Sequence, residues 1–414
     1  VYAKGFGLAD TAAQVAVAPE TRFAIGSLTK GFTAASVLLL AQRGMISIDD
    51  PLATYLPAFP NAAAITLRML LHQTSGLHTY PLLAEHPWPL SGPIPLETVV
   101  SILATDAADF SPGTRWAYSN TNYALLSAVI AQASGLDAAA FLQREIFTPL
   151  ALTDCGYGYV AQRQPGLATA YDGCAPFEVQ SPISLDLAAG AGAMISSARD
   201  MVRWDIALLR GALLDESSTR MLWSAGTLRD GTPVDYAMGF VPTDLGAHRA
   251  VWHNGLAPGA GGYCYNAVFP DDDLAIVVLS NGSAFSGVPE LMVTRVLKAY
   301  DPDGAGKLVA PAAAAGDDPA ITARAKDWWH RLQSGTVDLT DVAPAFAAHL
   351  TPAFLAQIQV GLSTAGEPTD WIFLGSQELA DATVYRYSIR LDGTPHVWSV
   401  GLTADGKIAG SRLQ

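Results

Sequence analysis

Phe23-Ala24-Ile25-Gly26-Ser27-Leu28-Thr29-Lys30 opens a run in which Leu28, Phe32, Ala35, Leu38 and Leu39 recur at helical spacing until Gly44 stops it. The spacing predicts a helix over Ser27 to Gln42, apolar on most sides and therefore buried. Its first turn carries a hydroxyl and an amine three residues apart, on one face. Ser27 sits where backbone N–H groups are free and the helix dipole is positive. Lys30 can act as a base only if its amine is shifted from about 10.4 toward neutrality, and the apolar flanks Phe23, Ile25 and Phe32 offer the burial that would do so. A bare Ser-x-x-Lys is also what an N-cap serine and a snorkelling lysine look like, so further elements must decide.

Working outward, helical patterns cover Ile65 to His72, Glu97 to Thr105, Thr121 to Ser134, Ala138 to Phe147 and Ser197 to Leu209, the last with Ser197 and Asp200 in a capping-box-like start. A strand is expected at Val1 to Leu8. Short runs rich in Val, Ile and aromatics at Tyr236 to Phe240, Ala250 to His253, Gly262 to Phe269 and Leu274 to Ser280 predict an antiparallel meander, with a closing helix at Val288 to Tyr300. Strands at both ends with helices between imply a mixed α/β (α+β) layout, one antiparallel sheet sandwiched by helices.

The stretch Asp301 to Pro319 strings together turn formers and alanines and reads as a linker. The expected organisation is therefore a domain over 1–300, a linker over 301–319 and a small α+β domain over 320–414. In the last part, helices at Ile321 to Gln333 and Pro352 to Gln359 precede strands at Asp370 to Leu374, Thr383 to Arg390, His396 to Gly401 and Lys407 to Arg412, a pattern analogous to cystatin-like or NTF2-like cones.

Composition removes several function classes. The 414 residues are 50% hydrophobic and 15% charged, so a large core is available and disorder is excluded. The net charge of −14 and the absence of a dense Lys/Arg cluster argue against nucleic acid. The longest run free of Asp, Glu, Lys, Arg and His, Trp116 to Leu136, is too polar for a membrane span. Cys155, Cys174 and Cys264 lack metal spacing; buried free thiols are the expectation, with a Cys155 to Cys174 disulfide as the alternative in an oxidising compartment. No metal and no cofactor is implied. Motifs of the G-x-S-x-G, P-loop, H-E-x-x-H and dinucleotide-binding types are absent.

Two further elements join Ser27 and Lys30: Tyr118-Ser119-Asn120 between a turn and a helix, and His253-Asn254-Gly255 at a strand end. With Leu70-Leu71-His72-Gln73-Thr74-Ser75-Gly76-Leu77, the Ala189-Gly190-Ala191-Gly192 to Trp204 stretch and Leu279-Ser280-Asn281 in order, residues 1 to 300 resemble the serine β-lactamase-like family of class C β-lactamases, DD-peptidases, D-aminopeptidases and related esterases. The resemblance implies a β-lactamase/transpeptidase-like fold and a serine hydrolase working through an acyl-enzyme. Ser27 would attack the carbonyl, Lys30 and Tyr118 would share general-base and general-acid duty, and Asn120 would position Lys30 and the substrate. His253, Gly255 and Leu256 would line the substrate site, with the N–H groups of Ser27 and Leu256 as the oxyanion hole. His72 and Ser75 are read as packing and capping residues.

His253 stands where many relatives carry Lys, which weakens the expectation of a carboxylate-bearing substrate, although some DD-peptidases of the family also use His-x-Gly; esterase or D-aminoacyl peptidase activity is expected ahead of β-lactamase. The other function class is a non-catalytic binding or sensor protein for an acyl or peptidoglycan-like ligand. Expected partners are a small ester or peptide substrate and, as an open alternative, further copies of the chain. The family's first helix and strand are missing ahead of Val1, suggesting a trimmed amino terminus. The expected location is periplasmic or secreted, with cytoplasmic as the alternative.

Overall fold

A computed structural model describes residues 2–80, 92–172, 178–179, 184–257, 261–282, 288–302, 313–347, 350–378, 382–391 and 394–413. Cys174 and parts of the loop His78 to Pro95 and of the linker Asp301 to Pro319 lie outside them. The chain divides into two compact units, one made of 1–172, 179–244 and 248–283, the other of 173–178, 245–247 and 284–414.

The first unit is built around the helix Thr29–Gln42, preceded by one 3-10 turn, Gly26–Leu28. Every residue from Thr29 to Leu40 is buried, as expected for a helix without a polar face. Helix Asn120–Ser134 packs on it and in turn carries helices Leu67–Leu71 and Leu96–Leu103, while helix Ala198–Leu209 meets it through Trp204. Trp204 stacks on Phe32 with ring centroids 3.9 Å apart, closing one side of the core. Gly135 takes φ +72° at the end of Asn120–Ser134, the left-handed cap that only glycine adopts without cost. Ser197 caps Ala198–Leu209 by accepting from the Asp200 N–H.

The antiparallel sheet has four strands in the order Leu274–Val278, Tyr263–Phe269, His248–Leu256, Val241–Leu245. Tyr263 pairs with Leu256 and Val268 with Val251, a register that carries His253, Gly255 and Leu256 to one end of the sheet. A smaller sheet joins Arg22–Ala24, Met194–Ser197 and Gly156–Tyr157. All three residues of Arg22–Ala24 are buried, and this strand leads directly into the turn that bears Ser27.

Two expected strands differ. At the amino terminus the strand starts only at Leu8 and pairs Leu8–Asp10 with Val15–Ala16, because Gly7 turns left-handed at φ +69°. Tyr236 to Phe240 forms no strand: Gly239 takes φ +78° and lies so close to the Lys30 carbonyl that a Cβ there would sit 2.7 Å from it. The segment is a bent strap laid against the central helix, and its aromatic content serves packing.

In the second unit, helix Pro319–Ser334, capped by Asp318, packs with helix Pro352–Ala365 over a four-stranded antiparallel sheet, Thr369–Glu378, Thr383–Leu391, Thr394–Leu402 and Ile408–Leu413. Its core is centred on Trp328, Trp329, Tyr387, Trp398 and Val400. Trp329 meets Trp398 edge to face at 5.0 Å. Among the described residues no single helix is long and apolar enough to cross a membrane.

Candidate active site

Ser27 lies in the 3-10 turn at the mouth of the buried helix, and its Oγ has two partners. Lys30 Nζ is 2.9 Å away and Tyr118 OH, which donates to it, is 2.8 Å away. Lys30 Nζ also reaches Asn120 Oδ1 at 2.9 Å and the Ala191 carbonyl at 2.8 Å. Lys30 is wholly buried, and that burial pushes its ammonium well below the ordinary lysine value. As a neutral amine it has two hydrogens for Asn120 Oδ1 and Ala191 O, and one lone pair left for the Ser27 proton. Burial pushes the Tyr118 phenol well above its ordinary value, so it remains a donor at neutral pH.

The loop bearing Tyr118 and Asn120 is held from behind. Gln73 Oε1 accepts from the Ser119 N–H at 3.0 Å and from Asn122 Nδ2 at 2.5 Å, and Thr79 Oγ1 accepts from the Asn120 N–H at 3.1 Å. Ser75 Oγ donates to Asn122 Oδ1 at 2.5 Å and accepts from the Leu77 N–H, the packing and capping role read from the sequence. Burial pushes His72 down to about 4, and its Nδ1 meets the Tyr236 carbonyl at 3.2 Å. The stretch Ala189 to Met194 is fastened to the central helix: Thr33 Oγ1 donates to Gly190 O at 2.8 Å, and Thr29 Oγ1 accepts from the Met194 N–H at 3.1 Å. Gly190 is needed there, since a Cβ would lie 2.3 Å from Ser127 Oγ.

On the other side, the strand end Gly255-Leu256 meets the nucleophile turn edge to edge. A Cβ on Gly255 would sit 2.0 Å from the Ile25 carbonyl, and one on Gly26, at φ +52°, 2.5 Å from the Leu256 carbonyl. Only two glycines allow the backbones of Ser27 and Leu256 to share one small space. The cleft above is bounded by Ser27, Asn120, Ser184, Leu187, Ala191 and Leu256, and no charged side chain lines it among the described residues. His253 is 4% exposed and does not line this cleft. No group of acidic, histidine and cysteine side chains that could hold a metal occurs among the described residues. Cys155 and Cys264 are free thiols, both pushed up to about 12 by burial.

All seven residues singled out from the sequence thus fall in one region. The Beta-lactamase family model matches residues 1–300. The chain belongs to the beta-lactamase family. It is 32% identical over 57% of its length to a Bacillus subtilis protein named as penicillin-binding protein PbpX, covering 58% of that protein. To a D-aminopeptidase of Brucella ovis it is 29% identical over 70% of its length, covering 56% of the relative. The chain therefore spans somewhat more than half the length of these curated relatives. Among solved structures, a D-amino acid amidase from Ochrobactrum anthropi superposes with TM-score 0.60 at 25% identity, over 72% of this chain and 88% of the amidase. An octameric penicillin-binding protein homologue from Pyrococcus abyssi shares the fold over the full chain and 92% of its own, with TM-score 0.62 and 18% identity.

One functional group escapes the sequence. The Ala191 carbonyl is a backbone atom and leaves no residue-type signature. The residue pattern places Tyr236 in a strand, although Gly239, three residues on, is the signal for a bend.

Proposed function

We propose that the protein is a serine hydrolase that cleaves esters or amide and peptide bonds through a covalent acyl-enzyme on Ser27, with ester and D-aminoacyl amide substrates ahead of β-lactams. The observation that carries this reading is Ser27 Oγ held at 2.9 Å from the Lys30 amine and 2.8 Å from the Tyr118 hydroxyl. Lys30 Nζ takes the Ser27 proton as Oγ bonds to the substrate carbonyl carbon. The resulting ammonium is then satisfied by Asn120 Oδ1 and Ala191 O. The oxyanion lies between the N–H groups of Ser27 and Leu256, where each donor is worth about 3 kcal/mol in the transition state. Tyr118 OH protonates the departing oxygen or nitrogen, and the proton that Lys30 took from Ser27 then passes to the Tyr118 oxygen, restoring the phenol. Water then attacks the ester as Lys30 takes its proton, Tyr118 OH protonates Ser27 Oγ as it leaves, and the Lys30 ammonium restores the phenol, so that the acid is released and the site is regenerated.

The test is intact-mass spectrometry after incubation with a fluorophosphonate. One adduct, mapped to Ser27 and lost in Ser27→Ala, is expected; equal labelling of Ser27→Ala sinks the reading. The names of the relatives support amide substrates, and the octameric homologue supports examining further copies of the chain as partners by light scattering. A periplasmic or secreted location is part of the same proposal and is checked by fractionating cells that express the full gene.

A further inference from the structure

Thr33 stands about one turn after Lys30 on the central helix and is buried. A hydroxyl in the middle of a helix commonly donates to the carbonyl four residues back. Ser36 does so, to Phe32 O at 2.8 Å, whereas Thr33 Oγ1 reaches out of the helix to Gly190 O, also at 2.8 Å. The stretch it grips is strained. Ala189 takes φ +42° and ψ −138°, a conformation that a residue with a Cβ holds only where its surroundings force it. The carbonyls around it show how it is forced. Ala188 O accepts from Tyr80 OH at 3.3 Å, Ala189 O from the Gly192 and Ala193 N–H groups at 3.2 and 2.9 Å, Gly190 O from Thr33, and Ala191 O from Lys30 Nζ at 2.8 Å. Behind the turn, the Asp186 carboxylate accepts from the Ile94 and Tyr159 N–H groups at 2.9 and 2.8 Å. Successive carbonyls are each held by a donor, and the last donor is the amine beside Ser27.

The Thr33 bond ties this turn to the helix that bears Lys30, one peptide short of Ala191. Without it Gly190 O is a buried acceptor with no donor, and the strain at Ala189 favours a turn that swings the next carbonyl off Lys30. Ala191 O matters most once Lys30 has taken the serine proton, because an ammonium donates more strongly than an amine. We infer that Thr33 is a positioning residue of the reaction: by donating to Gly190 O it keeps the strained turn at Ala189 closed and the Ala191 carbonyl on Lys30 Nζ. This inference rests on the acyl-enzyme reading, in which Lys30 is the base. The ionisable groups around Lys30 are Tyr118 and Tyr123, whose rings lie 4.8 and 5.7 Å from Nζ, and His253. Burial raises both phenols and lowers the histidine to about 3, so Lys30 is the member of this set that changes charge near neutral pH.

The experiment measures kcat/KM on an uncharged ester from about pH 4 to about pH 10 in wild type, Thr33→Val and Thr33→Ser. Thr33→Val keeps the branched shape and removes the donor. Its plateau is expected to drop about tenfold or more. Its rising limb is expected to move at least about half a pH unit lower, because an ammonium that has lost an acceptor gives up its proton more readily. Thr33→Ser keeps the hydroxyl and is expected to restore both. A merely structural role would lower the plateau through less folded enzyme and leave the limb in place. A folded Thr33→Val with an unmoved limb therefore overturns the inference, as does a Thr33→Ser that behaves like Thr33→Val. If Thr33→Val does not fold, Thr33→Ala against Thr33→Ser repeats the comparison, since that pair differs only in the hydroxyl. Fluorophosphonate labelling of the same samples separates the two claims: labelled Ser27 with an unmoved limb removes only this one, whereas unlabelled Ser27 in wild type removes both.

Discussion

A lysine with no exposed surface is unusual, and Lys30 is tolerated because Asn120 Oδ1 and Ala191 O accept its two hydrogens when it is neutral. That same burial favours the neutral amine, the form the proposed mechanism uses as a base. Because the neutral amine is the active form and its proton is lost more readily than in an ordinary lysine, kcat/KM should climb with pH through the depressed lysine value and then level. The elevated Tyr118 postpones any alkaline fall. A pH profile on an uncharged ester checks this; a rate that falls from pH 5 to 8 would contradict it. Lys30→Arg keeps a charge that cannot be shed, so we expect a loss of about 10²- to 10⁴-fold in kcat/KM across the whole range, read by the same assay.

Elements rather than side chains place the backbone N–H groups of Ser27 and Leu256 that the proposed mechanism uses as oxyanion donors, and the prediction at this scale concerns Gly26. Its φ of +52° and the 2.5 Å separation between a built Cβ and the Leu256 carbonyl mean that Gly26→Ala must push the nucleophile turn away from the strand end. Loss of about 10²-fold or more in kcat with KM little changed is the expected outcome, along with about 1–3 kcal/mol of stability by thermal or urea unfolding. An Ala variant with wild-type kcat would show that the close approach is unnecessary. The same glycines explain what could be read from the sequence and what could not. Helix Thr29–Gln42, the Ser197 cap and the strands around His253 follow from periodicity and cap chemistry, which are local. The bend at Tyr236 to Phe240 follows from the Lys30 carbonyl passing Gly239, a contact between segments far apart in the chain that no local pattern encodes. Ser27, Lys30, Tyr118 and Asn120 were legible because their side-chain chemistry is rare in that order. Ala191 was not, because only its backbone acts.

For the molecule as a whole, the pH dependence of stability should reveal a buried acid distant in sequence from the catalytic motifs. Asp205 has no exposed surface; its Oδ1 accepts from Asn266 Nδ2 at 2.9 Å, joining helix Ala198–Leu209 to strand Tyr263–Phe269, while its Oδ2 and Asn266 Oδ1 have no partner among the described residues. Burial pushes its carboxyl up to about 8, offset in part by the Asn266 bond. A folded-state value above the unfolded 3.8 means that the native state holds the extra proton between the two. Its contribution is therefore fully present below the unfolded value and is lost as pH rises through about 8, by up to about 1.4 kcal/mol per pH unit. Lys30 acts with the opposite sign: its folded value is depressed, so the native state binds fewer protons and stability gains as pH rises toward the ordinary lysine value. The wild-type curve also contains the depressed His72 and His253, whose contributions rise with pH up to the ordinary histidine value, so a substitution is needed to isolate Asp205. Asp205→Asn cannot titrate, and its amide can both accept from Asn266 Nδ2 and donate toward the unpartnered Asn266 Oδ1. We expect the variant minus wild-type difference in unfolding free energy to grow more positive from pH 5 to pH 8, measured by urea denaturation at fixed ionic strength. A difference independent of pH would mean that Asp205 is ionised in the native protein throughout that range.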